Sequence, residues 1–259
     1  MVIDFHAHVY PEKIAAKAVA GIGDFYHVKM QGDGTAEGLI NNGKPAGIDR
    51  FVVFSAAANP SQVIPINDYI ASICRDHKEF TGFGTLHYDM DDPVSEMDRL
   101  IGLGLKGLKF HPDMQSFFID DIKMMKIYAA AEGRIPLIFH TGDYRYDFSH
   151  PSRLAKVLDI FPGLRVIAAH FGGWSVFDIA YDHLKDKNCF FDVSSSLPFL
   201  GLRRARELIR AYGAERILFG SDYPMWNPAG VLQEFMKIDL DDNEREMILC
   251  SNARKLVDN

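Results

Sequence analysis

Short apolar runs alternate with amphipathic or alanine-rich stretches along the whole chain. Each run holds six to eight mostly β-branched or aromatic residues, which is the composition of a buried strand. The predicted strands are Val2–His8, Arg50–Ser55, Phe80–His87, Leu105–His111, Ile135–His140, Leu164–His170, Cys189–Ser194 and Arg216–Asp222. Between and after them, the pattern predicts helices that include Pro65–Lys78, Asp121–Glu132, Leu202–Tyr212 and Asn243–Val257.

Strict alternation of strands and helices favours a parallel sheet, because parallel neighbours need a crossover connection. Eight strand–helix units in 259 residues match the size of a closed barrel, about 250 residues. No linker or low-complexity tract interrupts the pattern. The sequence therefore predicts an α/β fold of the (β/α)8 TIM-barrel class, with residues 1–259 forming a single domain.

Polar residues end several of these apolar strands. They are His6 and His8, His87, Lys109 and His111, His140, His170, and Asp222. In a parallel barrel all strands end on one face, where the loops build the active site. One such histidine is most simply a buried, hydrogen-bonded residue, but several imidazoles at equivalent strand ends are typical of a metal site.

Charge and composition exclude several function classes. The net charge of −7 argues against a general nucleic-acid surface, which needs a basic face. No apolar run approaches the ~20 residues of a membrane span, and a strand starting at Val2 leaves no room for a signal peptide. Three widely spaced cysteines indicate buried thiols in a reducing compartment. We therefore expect a cytoplasmic protein that binds a small-molecule substrate. A homodimer is compatible with these features.

Six short motifs, in this order, resemble the amidohydrolase superfamily, in its amidohydrolase-related branch of metal-dependent TIM-barrel hydrolases and decarboxylases. They are Asp4-Phe5-His6-Ala7-His8, Gly107-Leu108-Lys109-Phe110-His111-Pro112, Phe139-His140-Thr141-Gly142, Ala169-His170-Phe171-Gly172-Gly173, Phe219-Gly220-Ser221-Asp222-Tyr223-Pro224 and Asn252-Ala253-Arg254-Lys255-Leu256. The resemblance spans nearly the whole chain and does not identify a substrate.

The resemblance implies that His6, His8, His140 and Asp222 bind a divalent metal. Such a ligand set suits Zn²⁺, although Mn²⁺ or Fe²⁺ accept the same nitrogen and oxygen donors. A bound metal lowers the pKa of its water toward ~7. Asp222 is then expected to take the proton of that water, and His170 to polarise a carbonyl or act as an acid or base.

Lys109 leaves the number of metals open. In binuclear relatives a carboxylated lysine at this strand bridges two ions, and His170 would bind the second. The Lys109-Phe110-His111-Pro112 context resembles the mononuclear branch, which favours one ion. An unmodified Lys109 would be a cation suited to holding a substrate carboxylate or oxyanion.

Two further sites bear on substrate binding. Lys109, His111 and Arg145 are the candidates to hold an anionic substrate, with Arg145 able to grip a carboxylate bidentately. The alternative for Arg145 is a surface ion pair with Asp143 or Asp147, of little energetic value. The glycine-containing connection after the first strand is expected to be either a mobile cover or a loosely structured excursion.

The constellation is compatible with three functions. The first is metal-dependent hydrolysis of a small, anionic amide, lactone or ester. The second is non-oxidative decarboxylation of a small carboxylic acid, which would release CO₂. The third is a non-catalytic metal-binding barrel, against which the presence of Asp222 and His170 beside the ligand set argues.

Overall fold

Eight short strands, each followed by helical structure, make up the part of the chain that the computed structural model describes, residues 1–258. The strands are β1 (Ile3–His8), β2 (Arg50–Phe54), β3 (Phe80–Gly82), β4 (Leu108–Phe110), β5 (Leu137–Phe139), β6 (Val166–Ala168), β7 (Phe190–Asp192) and β8 (Ile217–Leu218). The helices are α1 (Glu12–Tyr26), α2 (Ala36–Gly43), α3 (Val63–Asp76), α4 (Pro93–Gly102), α5 (Pro112–Gln115), α6 (Ile122–Ala131), α7 (Pro151–Ile160), α8 (Phe177–Leu184), α9 (Leu197–Tyr212), α10 (Pro228–Met236), α11 (Asp242–Glu246) and α12 (Asn252–Val257).

Each predicted strand contains an observed one, but most observed strands are shorter. The prediction that the third strand reaches His87 is wrong, because the Asn67 side chain takes both backbone hydrogen bonds of Thr85. The prediction that the eighth strand reaches Asp222 is also wrong. Asp222 has a φ of 60°, which ends any extended conformation.

The connection after β1 is mostly helical rather than a loosely structured excursion, since α1 and α2 occupy most of it. Phe25 and Tyr26 lie in the last turn of α1 and pack edge to face on each other. At the carboxyl end, the single predicted helix is divided into α11 and α12 by one π-helical turn, Met247–Ser251. In residues 1–258, no helix combines the length and apolarity needed to cross a bilayer.

The chain divides into two compact units. The first comprises Met1–Ser55, Ile73–Thr81 and the described chain from Val193 onward. In this unit β1 lies between β2, with which it pairs in parallel, and the segment after β8, whose Tyr223 bridges Ala7. Its core is aromatic and aliphatic, and includes the fully buried Phe5, Phe51 and Phe219.

The second unit comprises Ala56–Ser72 and Gly82–Asp192. Strands β4 to β7 form its parallel sheet in sequential order. Leu137, Ile138 and Phe139 of β5 are all fully buried, as expected of a strand covered on both faces. The register pairs Phe110 with Phe139, and this sets the residues that follow both strands side by side.

Candidate metal centre

His6 and His8 lie on one face at the end of β1, as their spacing predicts. His6 is fully buried and His8 is partly buried. Both rings pack edge to face against Phe54 of the neighbouring strand β2. Their Nε2 atoms approach the same oxygen, Asp222 Oδ1, at 3.4 and 3.6 Å. The first unit therefore brings together three of the predicted metal ligands.

Asp222 is held in a left-handed backbone conformation by contacts with β1. Its backbone N–H donates to the carbonyl of His6 at 2.8 Å. A non-glycine residue with positive φ is uncommon, and such residues persist where the surroundings over-determine them, often at functional sites. The strained turn after β8 thus aims the carboxylate at the two imidazoles.

The second oxygen of Asp222 has its own partner. Ser195 Oγ donates to Asp222 Oδ2 at 2.5 Å, and Trp226 Nε1 donates to the same Ser195 Oγ at 2.8 Å. Ser195 also has a positive φ, 51°. A chain of two hydrogen bonds therefore orients the carboxylate. Sequence reasoning missed Ser195 and Trp226, and the Ser194-Ser195-Ser196 run after β7 is the signal that was available.

Two more buried groups fix His6. Ser194 Oγ lies 3.2 Å from its Nδ1, so that Nε2 is the nitrogen facing Asp222. Asp4 Oδ1 accepts hydrogen bonds from the backbone N–H groups of His6 and Ser221, at 3.1 and 2.9 Å. Burial raises the pKa of Asp4 to about 6, although the hydrogen bonds from Ser221 and His6 act in the opposite direction. In metal sites, hydrogen-bond partners behind a ligand histidine fix the orientation of its imidazole ring.

The spacing of these donors fits a divalent ion. Two ligands about 2.1 Å from one ion and separated by the tetrahedral angle lie about 3.4 Å apart. The observed separations of Asp222 Oδ1 from His6 Nε2 and His8 Nε2 are 3.4 and 3.6 Å. The nitrogen and carboxylate donors also match the chemistry of Zn²⁺ and Mn²⁺ sites. The residues of the first unit therefore fit the implied metal.

In the second unit, His140 lies beside two other candidate residues. The β4–β5 register stacks Phe110 on Phe139 and, one residue further on, His111 on His140, with ring centroids 4.1 Å apart. His140 Nδ1 lies 3.1 Å from His170 Nε2. The structure thus gathers His111, His140 and His170, all predicted from sequence.

His170 follows β6 in a short helical turn with unusual backbone geometry. His170 and Phe171 have φ values of 59° and 52°. The backbone N–H of His170 donates to Asp192 Oδ1 at 3.0 Å, which anchors the turn to the end of β7. This turn, rather than an extended strand end, presents the imidazole to His140.

Asp113 is a buried carboxylate beside His140 that sequence reasoning missed. Its Oδ2 lies 3.6 Å from His140 Nε2 and accepts a hydrogen bond from Ser149 Oγ at 2.6 Å. Within residues 1–258, its Oδ1 makes no hydrogen bond. Burial raises the pKa of Asp113 to about 6, against the effect of the Ser149 hydrogen bond, and the neighbouring Asp143 raises it further. The position directly after the Lys-Phe-His-Pro motif is the signal that could have found it.

The two predicted cations occupy different settings. Lys109 is almost completely buried in the middle of β4. Arg145 forms a bidentate ion pair with Asp143, whose side chain is fully buried, at 2.7–3.2 Å. Of the two pairs considered for Arg145, the structure has the one with Asp143, and the carboxylate lies inside the protein rather than on the surface. Asp147 pairs instead with Arg153.

A second donor cluster is present around His140. Asp113, His140 and Asp143 have ligand-type atoms within 4.8 Å of one another. The Arg145 guanidinium already neutralises Asp143, which reduces the attraction of this cluster for a further cation. The cluster is therefore more simply a pair of buried carboxylates beside His140 that are held by Ser149 and Arg145.

Comparison with known proteins identifies the family of this chain and confirms its fold class. A family model described as Amidohydrolase matches residues 3–258, nearly the whole chain. An uncharacterized TIM-barrel protein from Bordetella bronchiseptica aligns with a TM-score of 0.82 at 20% identity, over 99% of this chain and 98% of that one. This likeness confirms the predicted (β/α)8 TIM-barrel fold class.

Two enzymes are among the other similar structures. The 5-carboxyvanillate decarboxylase of Sphingomonas paucimobilis has a TM-score of 0.75 at 15% identity, covering 99% of this chain and 98% of that one. A dihydroxybenzoic acid decarboxylase of Polaromonas sp. JS666, with bound manganese and the inhibitor 2-nitroresorcinol, has a TM-score of 0.75 at 17% identity, covering 99% and 96%. At these identities the likeness establishes the fold.

Proposed function

Because the chain belongs to the amidohydrolase family, we propose that it is a metal-dependent enzyme that decarboxylates a small aromatic carboxylic acid without oxidation. The spacing of His6, His8 and Asp222 for one divalent ion is the observation that carries the metal. The decarboxylase activity of two proteins that share the fold over almost their full length supports the reaction class. The hydrolase that the sequence favoured becomes the second candidate.

The proposed ligand set is His6, His8, His140 and Asp222. The fold class supports adding His140, since parallel barrel strands end on a common face. Zn²⁺ and Mn²⁺ are both candidates, and manganese is named in a similar structure. When bound, the ion would supply positive charge that polarises the oxygen atoms of a carboxylate or phenol. One ion is proposed, with Lys109 unmodified. A carboxylated Lys109 with His170 on a second ion is the alternative.

Decarboxylation requires one proton at the carbon that loses its carboxyl group. The carbon–carbon bond breaks, CO₂ leaves, and the electron pair left on the ring carbon takes that proton. Asp222 is the proposed proton carrier, with its carboxylate oriented by Ser195 Oγ. His170 is the proposed second acid or base, acting in company with His140 at 3.1 Å.

The substrate is proposed to carry negative charge. A protein with a net charge of −7 repels anions at long range, so capture requires local cations. Lys109 is proposed to supply that charge from β4, where burial in low dielectric strengthens its attraction for an anion. Arg145 and His111 are proposed to complete the anion-binding group, with Arg145 braced by Asp143.

Hydrolysis is retained as a second candidate because the matching family model is described as Amidohydrolase. The two reactions differ in their products. A decarboxylase releases labelled CO₂ from a substrate carrying ¹³C in its carboxyl group. A hydrolase incorporates ¹⁸O from labelled water and releases no CO₂.

The test is a screen of metal-loaded protein against hydroxybenzoates and their methoxy derivatives, with lactones and N-acyl amino acids as the second arm. We expect labelled CO₂ from the first arm. Asp222→Asn should retain part of the metal while kcat falls by ~10² or more, because the amide keeps one oxygen donor but lacks basicity. Turnover confined to the second arm would reject decarboxylation, and near-native kcat in the variant would reject Asp222 as proton carrier.

A further inference from the structure

The first unit contains a half-open cavity of about 460 Å³ that the proposed chemistry does not use. The N-terminal half of α9 and the first turns of α10 line it. Its volume lies in the range of small-molecule sites, roughly 300–1,000 Å³. Its apolar lining residues are Val193, Leu197, Pro198, Leu202, Trp226 and Val231. The cavity is therefore large enough for a small organic group and suited to an uncharged one.

The polar residues of the cavity point to the same ligand chemistry. Gln31 and Gln233 contribute amide groups, whose N–H groups can donate to a hydroxyl or ether oxygen, whereas Asn227 caps α10 and donates to Asn42. Its one charged lining residue, Glu234, forms an ion pair with Lys237. No lysine or arginine lines the cavity in the described part of the chain. A carboxylate would thus find no counter-charge here, whereas an apolar group with a hydroxyl needs none.

The cavity adjoins the group that orients Asp222. Ser195 and Trp226 both line it, and they are also the two members of the hydrogen-bond chain that ends on Asp222 Oδ2. A molecule in the cavity would therefore touch side chains that set the direction of the proposed proton carrier.

We propose that this cavity binds the uncharged, hydroxyl- or methoxy-bearing part of an aromatic substrate, remote from its carboxylate. The proposal rests on the proposed function for the identity of the whole substrate. In this proposal, residues of α9 and α10 determine specificity for the ring substituents. Ser195 and Trp226 contact both the bound substituent and, through their hydrogen bonds, Asp222.

Gly230 of α10 offers a direct test. It lines the cavity, and a Cβ built there meets no atom within 4 Å, so the first atom of a larger side chain is accommodated there. Gly21 of α1 is a matched control: it is also helical, exposed and open around its Cβ, but it does not line this cavity. Gly230→Phe and Gly21→Phe therefore make the same change inside and outside the proposed site.

The probe is guaiacol, an uncharged methoxyphenol that cannot be decarboxylated. Protein labelled with 5-fluorotryptophan has only two resonances, from Trp174 and Trp226, and Trp174→Phe assigns them. We expect guaiacol to shift the Trp226 resonance in the wild type and in Gly21→Phe. The dissociation constant should rise at least tenfold in Gly230→Phe. Gly230→Leu, which favours the helix, provides an intermediate step if the larger residue lowers stability.

The outcomes separate this proposal from the proposed function, because binding of guaiacol needs no turnover. Weakened binding in both Gly230 variants, with Gly21→Phe unchanged, supports the pocket whatever reaction the protein catalyses. Equal binding in wild type and Gly230→Phe overturns the pocket, even if labelled CO₂ is released from hydroxybenzoates. A shift at Trp174 without one at Trp226 also overturns it.

Discussion

Removal of the Ser195 hydroxyl should uncouple orientation of Asp222 from metal binding. Ser195 Oγ donates to Asp222 Oδ2, whereas Asp222 Oδ1 is the oxygen that faces His6 and His8. Ser195→Ala therefore keeps every proposed metal ligand and removes the hydroxyl that holds the second oxygen in place and accepts from Trp226 Nε1. The carboxylate can then rotate about its terminal bond.

The size of the effect follows from the type of bond that is lost. A hydrogen bond to a charged group contributes about 1.5–3 kcal/mol, which corresponds to roughly a 10- to 150-fold change in rate. Mutation of the outer partners of metal ligands usually costs about 10–100-fold in affinity or activity. We therefore expect kcat to fall about 10–100-fold at saturating metal, with KM changed by less than about threefold.

The assay needs three variants, because Ser195 has a φ of 51°. Ser195→Gly also removes the hydroxyl, and glycine adopts this φ without strain. If both the Gly and the Ala variant lose activity, the loss is therefore due to the missing hydroxyl and not to backbone strain. Ser72→Ala, which deletes a hydroxyl bonded to the Tyr69 carbonyl, serves as the control and should retain kcat. Metal content is measured in parallel by mass spectrometry. A kcat within about threefold of wild type in both Ser195 variants would refute the reasoning.

Three other changes test different parts of the structure. His6→Ala should abolish stoichiometric binding of Zn²⁺ or Mn²⁺ in equilibrium dialysis, since one donor is lost and the others lose their organisation; full occupancy would make the His-x-His pair structural. Arg145→Lys keeps the charge but not the bidentate fork on Asp143, so KM for carboxylated substrates should rise about fivefold or more, and an unchanged KM would assign Arg145 to structure alone. Arg99→Met should lower the free energy of urea unfolding by about 1–3 kcal/mol, because it leaves the buried Glu96 carboxylate without its ion pair; a change below about 0.5 kcal/mol would contradict this.

Local patterns were enough to predict the order of the elements and several residues of the candidate site. Alternating apolar runs and amphipathic stretches placed all eight strands, because burial of a parallel strand demands a continuous apolar run. The His6/His8 pair was predicted to share one face because strand periodicity is a local property. The structure confirms that their Nε2 atoms approach a common oxygen. The family resemblance implied that Asp222, to which this oxygen belongs, joins the pair as a metal ligand.

Contacts between distant segments decided the rest. The local signals for Ser195 and Asp113 do not reveal what these residues contact, and Trp226 has no such signal. The contacts of all three join residues 27 or more positions apart in the sequence. Backbone conformation was equally hidden: Asp222 adopts a positive φ in a turn whose backbone N–H donates to His6, so a pattern that favours a strand ended in a turn. Sequence periodicity reports which face a residue takes within its own element, whereas the direction of a functional side chain depends on partners that only folding brings near.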